Sequence, residues 1–357
     1  VLAFSPKKLN NKTSFINSIS YIEEELQVKK FVYALLAMSL LGVAAVSAGA
    51  EEWKFTRKID VVCPWGVGGG ADSTIRPMAK LLKDILGVEV EVVNVSGGSG
   101  VNGVEYTYKQ PADGYTFMLG TQSLIMQDLQ GATSMNFRSE FIPVAKLVHS
   151  INIIAGSKKA MDQKGYHSFS EMIKYAKEHP FEINVGMLTA TGADGASLRQ
   201  TLAGLDVNEV PYSGGSEMNS ALVGGHIDMM ITGTDEIAGL IQAGDIVPLC
   251  AICEKRMKLY PDMECTGELG IDSFIGTWRG IFAKAGTPQS AIDALVAAIE
   301  KAVQTKEWQD FLVAGAYDER PGFAAPKEFA ELFESEYKTF TKYLKAEEVL
   351  KKDYYAK

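Results

Sequence analysis

Short apolar runs of β type alternate with amphipathic stretches from residue 58 onward, and this alternation restricts the fold more than any other feature of the chain. Ile59–Cys63 and residues 88–95, rich in β-branched side chains, read as strands, and residues 115–119 as a third. Between the first two, Ile75, Met78, Ala79, Leu82 and Ile85 recur at helical spacing. A second series follows: strand at 182–186, helix at 196–203, strand at 208–211, helix at 218–224, and strands at 227–231 and 248–253. Such order favours an α/β architecture of mainly parallel sheets with right-handed crossovers. The last third reads as helix at 288–306, 308–314 and 326–350. A chain of 357 residues exceeds one ordinary domain and suits two.

In open sheets of this kind a ligand sits beyond the carboxyl ends of the strands, so the loops that follow strands form the candidate site. The first runs Cys63-Pro64-Trp65-Gly66-Val67-Gly68-Gly69-Gly70-Ala71-Asp72. Its glycines let a ligand approach the backbone closely. The helix start beyond them offers free N–H groups and a positive dipole end, which hold an anion without lysine or arginine. Trp65 either walls a pocket or fills core. Asp72 and Ser73 either cap the helix or meet the ligand. Gly98 lies in the glycine turn 96–100. Thr121, Gln122 and Ser123 follow the third strand, and their hydroxyls and amide either orient a polar ligand or serve turns. The second series adds Thr191, Gly192 and Ala193, then Tyr212 and Ser213, then Thr234 and Asp235. For Asp235 a helix cap is the default. Arg76 and Arg279 are the cations placed to meet a second acidic group, with Arg76 reading first as a structural ion pair.

Residues 66–71 also fit G-x-G-x-x-A, the dinucleotide fingerprint, which makes an NAD-type oxidoreductase the rival of a different class. Pro64-Trp65 interrupts the passage from strand to glycines, and the second strand ends at Asn94 where a ribose-binding acid is expected. No G-x-S-x-G elbow, H-E-x-x-H or paired nucleophile and base stands out, so no catalytic residue and no cofactor is assigned. Cys250-x-x-Cys253 lacks a second ligand pair and the four histidines are scattered, so no metal is expected. A disulfide between two of Cys250, Cys253 and Cys265 is open if the compartment oxidises. The net charge of −9 disfavours nucleic acid.

Lys29-Lys30, the apolar run 31–46 and Ser47-Ala48-Gly49-Ala50 have the layout of an export signal cleaved after Ala50. The run is shorter than the roughly 20 residues that span a bilayer. Val28, read through an alternative start codon, would put this signal at a true N-terminus. Residues 51–357 are then the mature chain and 1–50 a non-mature segment.

Taken in order, these loops resemble the solute-binding proteins of tripartite tricarboxylate transporters, the Bug family. The family's V-P-[FY]-x-x-G-G-x-x-D is similar to Cys63, Pro64, Trp65, Gly68, Gly69 and Asp72. Its glycine turn with P-D-G-Y-T is similar to Asn94 and Gly97-Gly98 followed by Ala112-Asp113-Gly114-Tyr115-Thr116. Its V-P-Y-x-G…L-x-G-G-x-[IV]-D is similar to Val210-Pro211-Tyr212-Ser213-Gly214 and residues 222–228, and its W-x-G…A-G-T-P to Trp278-Arg279-Gly280 and residues 285–288. Departures fall at Val95-Ser96, where the family often has Arg-Pro, at Ser197, where it often has histidine, and at Gly66. The resemblance implies a periplasmic-binding-protein-like (Venus flytrap) fold with mainly parallel sheets and a cleft between domains. Residues 51–150 and 276–357 would form domain 1 and residues 151–275 domain 2. It implies one carboxylate clasped by Gly68, Gly69, Gly70, Ala71 and Asp72, with Thr191, Gly192 and Ala193 opposite and Tyr212 and Ser213 nearby. It implies an exported monomer, not an enzyme, that captures a tricarboxylate, dicarboxylate or other organic acid and delivers it to the membrane subunits of a transporter. A periplasmic sensor for a signalling receptor is the alternative.

Overall fold

The computed structural model describes residues 53–188, 191–212, 214–273 and 275–356. The expected export signal, its cleavage point, the start at Val28 and the site residue Ser213 lie outside the described residues. Trp53–Lys357 forms one compact unit.

The chain builds a first sheet from β1 (Ile59–Cys63), β2 (Val90–Asn94), β3 (Thr116–Gly120) and β4 (Phe141–Ser150). It then enters a second with β5 (Asn152–Ser157), β6 (Asn184–Met187), β7 (Asn208–Pro211), β8 (Met229–Gly233), β9 (Ile246–Ala251) and β10 (Glu264–Cys265), and returns to the first with β11 (Thr277–Lys284). The strand orders are β2-β1-β3-β11-β4 and β10-β9-β5-β8-β6-β7. Around them lie α1 (Gly70–Leu86), α2 (Val101–Lys109), α3 (Gln122–Leu129), α4 (Phe137–Glu140), α5 (Lys158–Lys164), α6 (Phe169–Glu178), α7 (Ala193–Thr201), α8 (Gly215–Gly224) and α9 (Thr234–Ala243). The chain finishes with α10 (Gln289–Val303), α11 (Lys306–Ala314) and α12 (Pro326–Ala346).

Strands joined by helical crossovers pair in parallel, as β1 does with β2 and β3, and β6 with β7 and β8. Both sheets are mixed: β11 runs antiparallel to β3 and β4, and β5 to β8 and β9, while the other pairs are parallel. Both exceptions are strands delivered from the other sheet. No helix packs them back onto the sheet they left, so the rule that makes crossover strands parallel does not act on them.

Successive strand residues serve opposite faces, as the pleat requires. Val61, Phe117, Leu119 and Ile281 pack with Ile75, Met78 and Leu82 of α1 and with Leu295 and Ile299 of α10. Their neighbours Val62, Met118 and Phe282 pack on the other face with Phe329, Phe333 and Tyr337 of α12. Burial on both faces is why these strands read as continuous apolar runs. All four cysteines are buried and unpaired. Among the described residues no helix is long and apolar enough to cross a membrane.

Candidate functional site

The carboxyl ends of β1 and β3 in one sheet and of β6, β7 and β8 in the other open on a cleft of about 800 Å³. Six helices start at its wall: α1, α2, α3, α7, α8 and α9 each contribute lining residues from the N-cap or the first turn. Five of these have glycine N-caps, Gly69, Gly100, Gly192, Gly214 and Gly233, with no side-chain cap. The sixth, α3, is capped by Thr121; away from the cleft, α4, α5, α6 and α11 are capped by the side chains of Asn136, Ser157, Ser168 and Thr305, and α10 and α12 begin at Pro288 and Ala325 without a side-chain cap. The contrast has a chemical meaning. A helix start leaves N–H groups without partners and carries about half a positive charge. A Ser, Thr or Asn cap takes one of those donors, whereas a glycine cap takes none; at α2 the chain itself uses two of them, Val101 N meeting Gly98 O and Asn102 N meeting Gly97 O, and at α7 Ala193 N meets Ser123 Oγ.

The first loop is held by its own acid. Asp72 is buried and accepts from Gly68 N (3.0 Å), Arg76 Nε (2.8 Å) and Asn94 Nδ2 (2.9 Å). Asn94 Nδ2 also donates to Trp65 O at 3.0 Å. Burial works against ionising Asp72, yet the donors from Arg76, Gly68 and Asn94 hold its carboxyl below the ordinary range. Gly68 supplies the positive φ of 80° that turns the chain into α1. Asp72 and Ser73 therefore neither cap α1 nor line the cleft. The helix begins earlier than its charges suggest, at the Gly69 cap, so Asp72 reaches back to the preceding N–H as the acid of a capping box does. Ser73 Oγ donates to Gly69 O at 3.1 Å.

Of the residues singled out from sequence, Trp65, Gly69, Gly70, Ala71, Gly98, Thr121, Ser123, Thr191 and Tyr212 line the cleft. Trp65 also packs on the core of the first sheet, so both of its readings hold. Gly100 has φ 100°, and a Cβ there would press on Leu124 and Trp65. Gln122 is turned away: its amide donates to Gly276 O and accepts from Trp278 N (3.2 Å). Gly192 caps α7, and Ala193 N donates to Ser123 Oγ at 3.3 Å, so these two act in a contact between the sheets rather than as lining. Thr191 Oγ1 accepts from Gln127 at 3.0 Å, and its carbonyl accepts from Gln130 at 2.5 Å. Thr234 donates to Gly315 O at 2.8 Å. Asp235 does not cap α9, because Gly233 already does; its covered side chain lies 3.7 Å from Arg279 Nη1.

Both candidate arginines are engaged by protein groups. Arg76 pairs with Asp72 and Asn94. Arg279, buried on β11, donates to Tyr317 Oη (2.8 Å) and to Glu236 Oε1 (3.1 Å). Burial and the charge of Asp235 push the Glu236 carboxyl up to about 7, against the pull of Arg279. Asp194, the end of the loop 189–194 that sequence offers as the facing half of the site, lines the cleft, as do Glu236 and Asn152, which sequence reasoning passed over. Glu236 carried a signal: Gly69-x-x-Asp72, Gly214-x-x-Glu217 and Gly233-x-x-Glu236 repeat one spacing. His149, the histidine nearest a strand end, is half-buried on β4; desolvation, then Arg320 and Lys146, push its imidazole down to about 3, so it stays neutral.

Residues 74–338 match the model of the tripartite tricarboxylate transporter family receptor. The chain is 28% identical over 290 residues to the UPF0065 protein in the tcbD–tcbE intergenic region of Pseudomonas sp. strain P51, covering 79% of this chain and 83% of that one. Among solved structures it superposes on Rpa4515 of R. palustris with adipate at a TM-score of 0.74 and 26% identity, covering 81% and 97% of the two chains. The periplasmic binding protein BugD gives a TM-score of 0.75 at 21% identity, over 84% of this chain and all of that one, a likeness of fold.

Proposed function

This chain belongs to the tripartite tricarboxylate transporter receptor family, and from that premise we propose that it captures a small carboxylate in the cleft and delivers it to the membrane subunits of such a transporter. The observation that carries the reading is the group of helix starts at the cleft, α1, α8 and α9, whose glycine caps take none of the leading N–H groups. Adipate in the R. palustris relative supports the ligand class. On this reading the protein is an exported monomer, its signal cleaved after Ala50. Residues 51–150 with 276–357, and residues 151–275, are the two domains that close on the ligand, because a ligand touching both favours the closed state. The dinucleotide reading has less support: β2 ends at Asn94, whose amide already serves Asp72 and Trp65.

The test is a thermal-shift screen of the protein purified from the periplasm, against mono-, di-, tricarboxylates, amino acids and NAD. A ligand at a hundred times its Kd adds about 2.7 kcal/mol of stability. A shift with a carboxylate, lost in Gly69→Leu, is the expected result; the new side chain enters the cleft where a Cβ meets only Gly66 O at 3.6 Å. A shift with NAD and none with any acid would overturn the reading.

A further inference from the structure

A cleft built to seat anions carries a surplus of acid at one wall. Asp194, Glu217 and Glu236 line it, with the covered side chain of Asp235 behind, and Arg279 is the sole cation in the lining among the described residues. Both terminal nitrogens of that arginine already donate within the protein, to Tyr317 and to Glu236, and Asp235 stands 3.7 Å away. Glu236 lies between two helix starts that belong to different sheets. A Cβ on Gly70 would strike its Oε1 together with the Arg279 guanidinium, and a Cβ on Gly215 would come within 3.8 Å of its Oε2. An internal carboxylate thus occupies the place beside Arg279 that the second acid group of a dicarboxylate would take. Like charges this close repel at a partly buried wall, so an ionised Glu236 disfavours a second ligand carboxylate there.

A separate observation also points to a ligand. Asn152 opens β5 on the floor of the cleft and is only 2% exposed. Its Oδ1 accepts from Thr277 Oγ1 at 3.1 Å, while its Nδ2 has no partner in the protein. A buried amide without its hydrogen bond is costly, and this one lies beside Gly233, the uncapped start of α9. An acceptor brought by the ligand would satisfy it.

Building on the carboxylate reading above, we propose that the ligand is an amino-carboxylate. Its single carboxylate is taken by the uncapped helix starts and Asn152, and its protonated amine faces Glu236 and Asp194. Glu236 is then the residue that sets specificity, admitting an ammonium where a dicarboxylate binder admits a second acid.

Calorimetry with isosteric pairs separates the possibilities: succinate against β-alanine, and adipate against δ-aminovalerate, on the full exported protein and on Glu236→Gln. In at least one pair the amine-bearing acid should bind about tenfold tighter than the diacid, and Glu236→Gln, which frees Arg279, should reverse that order. Asp194→Asn supplies the second variant, expected to weaken the amine-bearing acid and spare the diacid, should Glu236→Gln not fold. If the diacid binds as well or better in both pairs, or if the folded variants leave the ratio unchanged, the amine site is refuted and carboxylate capture stands. If no acid of any length binds, carboxylate capture itself falls and the amine site with it.

Discussion

Two adjacent glycines of the first loop have opposite constraints, and a methyl group tells them apart. A Cβ on Gly69 meets only Gly66 O at 3.6 Å, an ordinary contact, whereas a Cβ on Gly70 collides with Arg279 and Glu236. Gly70→Ala should lower stability by about 1–3 kcal/mol through overpacking, and Gly69→Ala should leave the urea midpoint nearly unmoved. A half-buried carboxyl away from the cleft gives a second single-residue prediction. Trp278 Nε1 donates to Glu336 at 2.6 Å, and burial pushes the Glu336 carboxyl up to about 7 against that hydrogen bond and Lys146. A carboxyl whose folded pKa lies above its unfolded value keeps its proton while the unfolded chain has lost it, so stability falls as pH rises from about 4.5 to about 7 and is flat above. Gln at this position accepts the same indole hydrogen bond without that loss. Glu336→Gln should match the parent near pH 4.5 and exceed it by on the order of 3 kcal/mol at pH 8, measured by urea denaturation at both.

Helix caps extend the argument to whole elements. Ser168 caps α6 through its side chain, away from the cleft, so Ser168→Ala should cost about 1 kcal/mol of stability and leave ligand affinity unchanged. Gly214 caps α8 in extended backbone with open space around a Cβ. Gly214→Ser should keep or slightly raise stability yet weaken capture roughly tenfold, because the new hydroxyl takes an N–H worth about 1.5 kcal/mol to a charged ligand. Equal affinity in Gly214→Ser and parent would mean that backbone N–H groups at α8 do not hold the ligand. The same helices show what the sequence could and could not reveal. The parallel strands β1, β3, β6 and β8, and α1 between its glycines, were legible because apolar period and turn residues agree there. β4, β5 and β11 were not, since no crossover helix brackets them and their pairing partners lie more than a hundred residues away for β4 with β11. The glycine loops were legible as a site; Glu236 and Asn152 were not. An acid in a first helical turn reads as dipole compensation, and only the return of β11 puts Arg279 beside it.

At the scale of the molecule, the two sheets are joined covalently where β4 runs through Ile151 into β5 and where residues 266–276 lead back to β11. Side chains also bridge the sheets: Gln127 and Gln130 of the α3 region both donate to Thr191, and Ser123 accepts from Ala193. α3 is itself anchored from the far end of the chain, because Asp128 accepts from Tyr337, Lys352 and Tyr354. Ala193 and Ala196 of α7 pack into the core of the first sheet beside these bonds, whereas Thr191 lies exposed at the rim, so on the proposed closure the two glutamine bonds to Thr191 bear on how firmly the cleft shuts more than on folding. Replacing Gln127 and Gln130 together with alanine removes two donors worth about 1 kcal/mol each. The double variant should unfold at the parent's temperature without ligand, yet release ligand roughly thirtyfold faster in stopped flow, since weakened closure is expressed mainly in dissociation. Small-angle scattering of the ligand-free forms should give the variant the larger radius of gyration. A variant as compact as the parent, with unchanged release, would mean that the contacts at Thr191 do not latch the cleft and that retention rests on the helix starts alone.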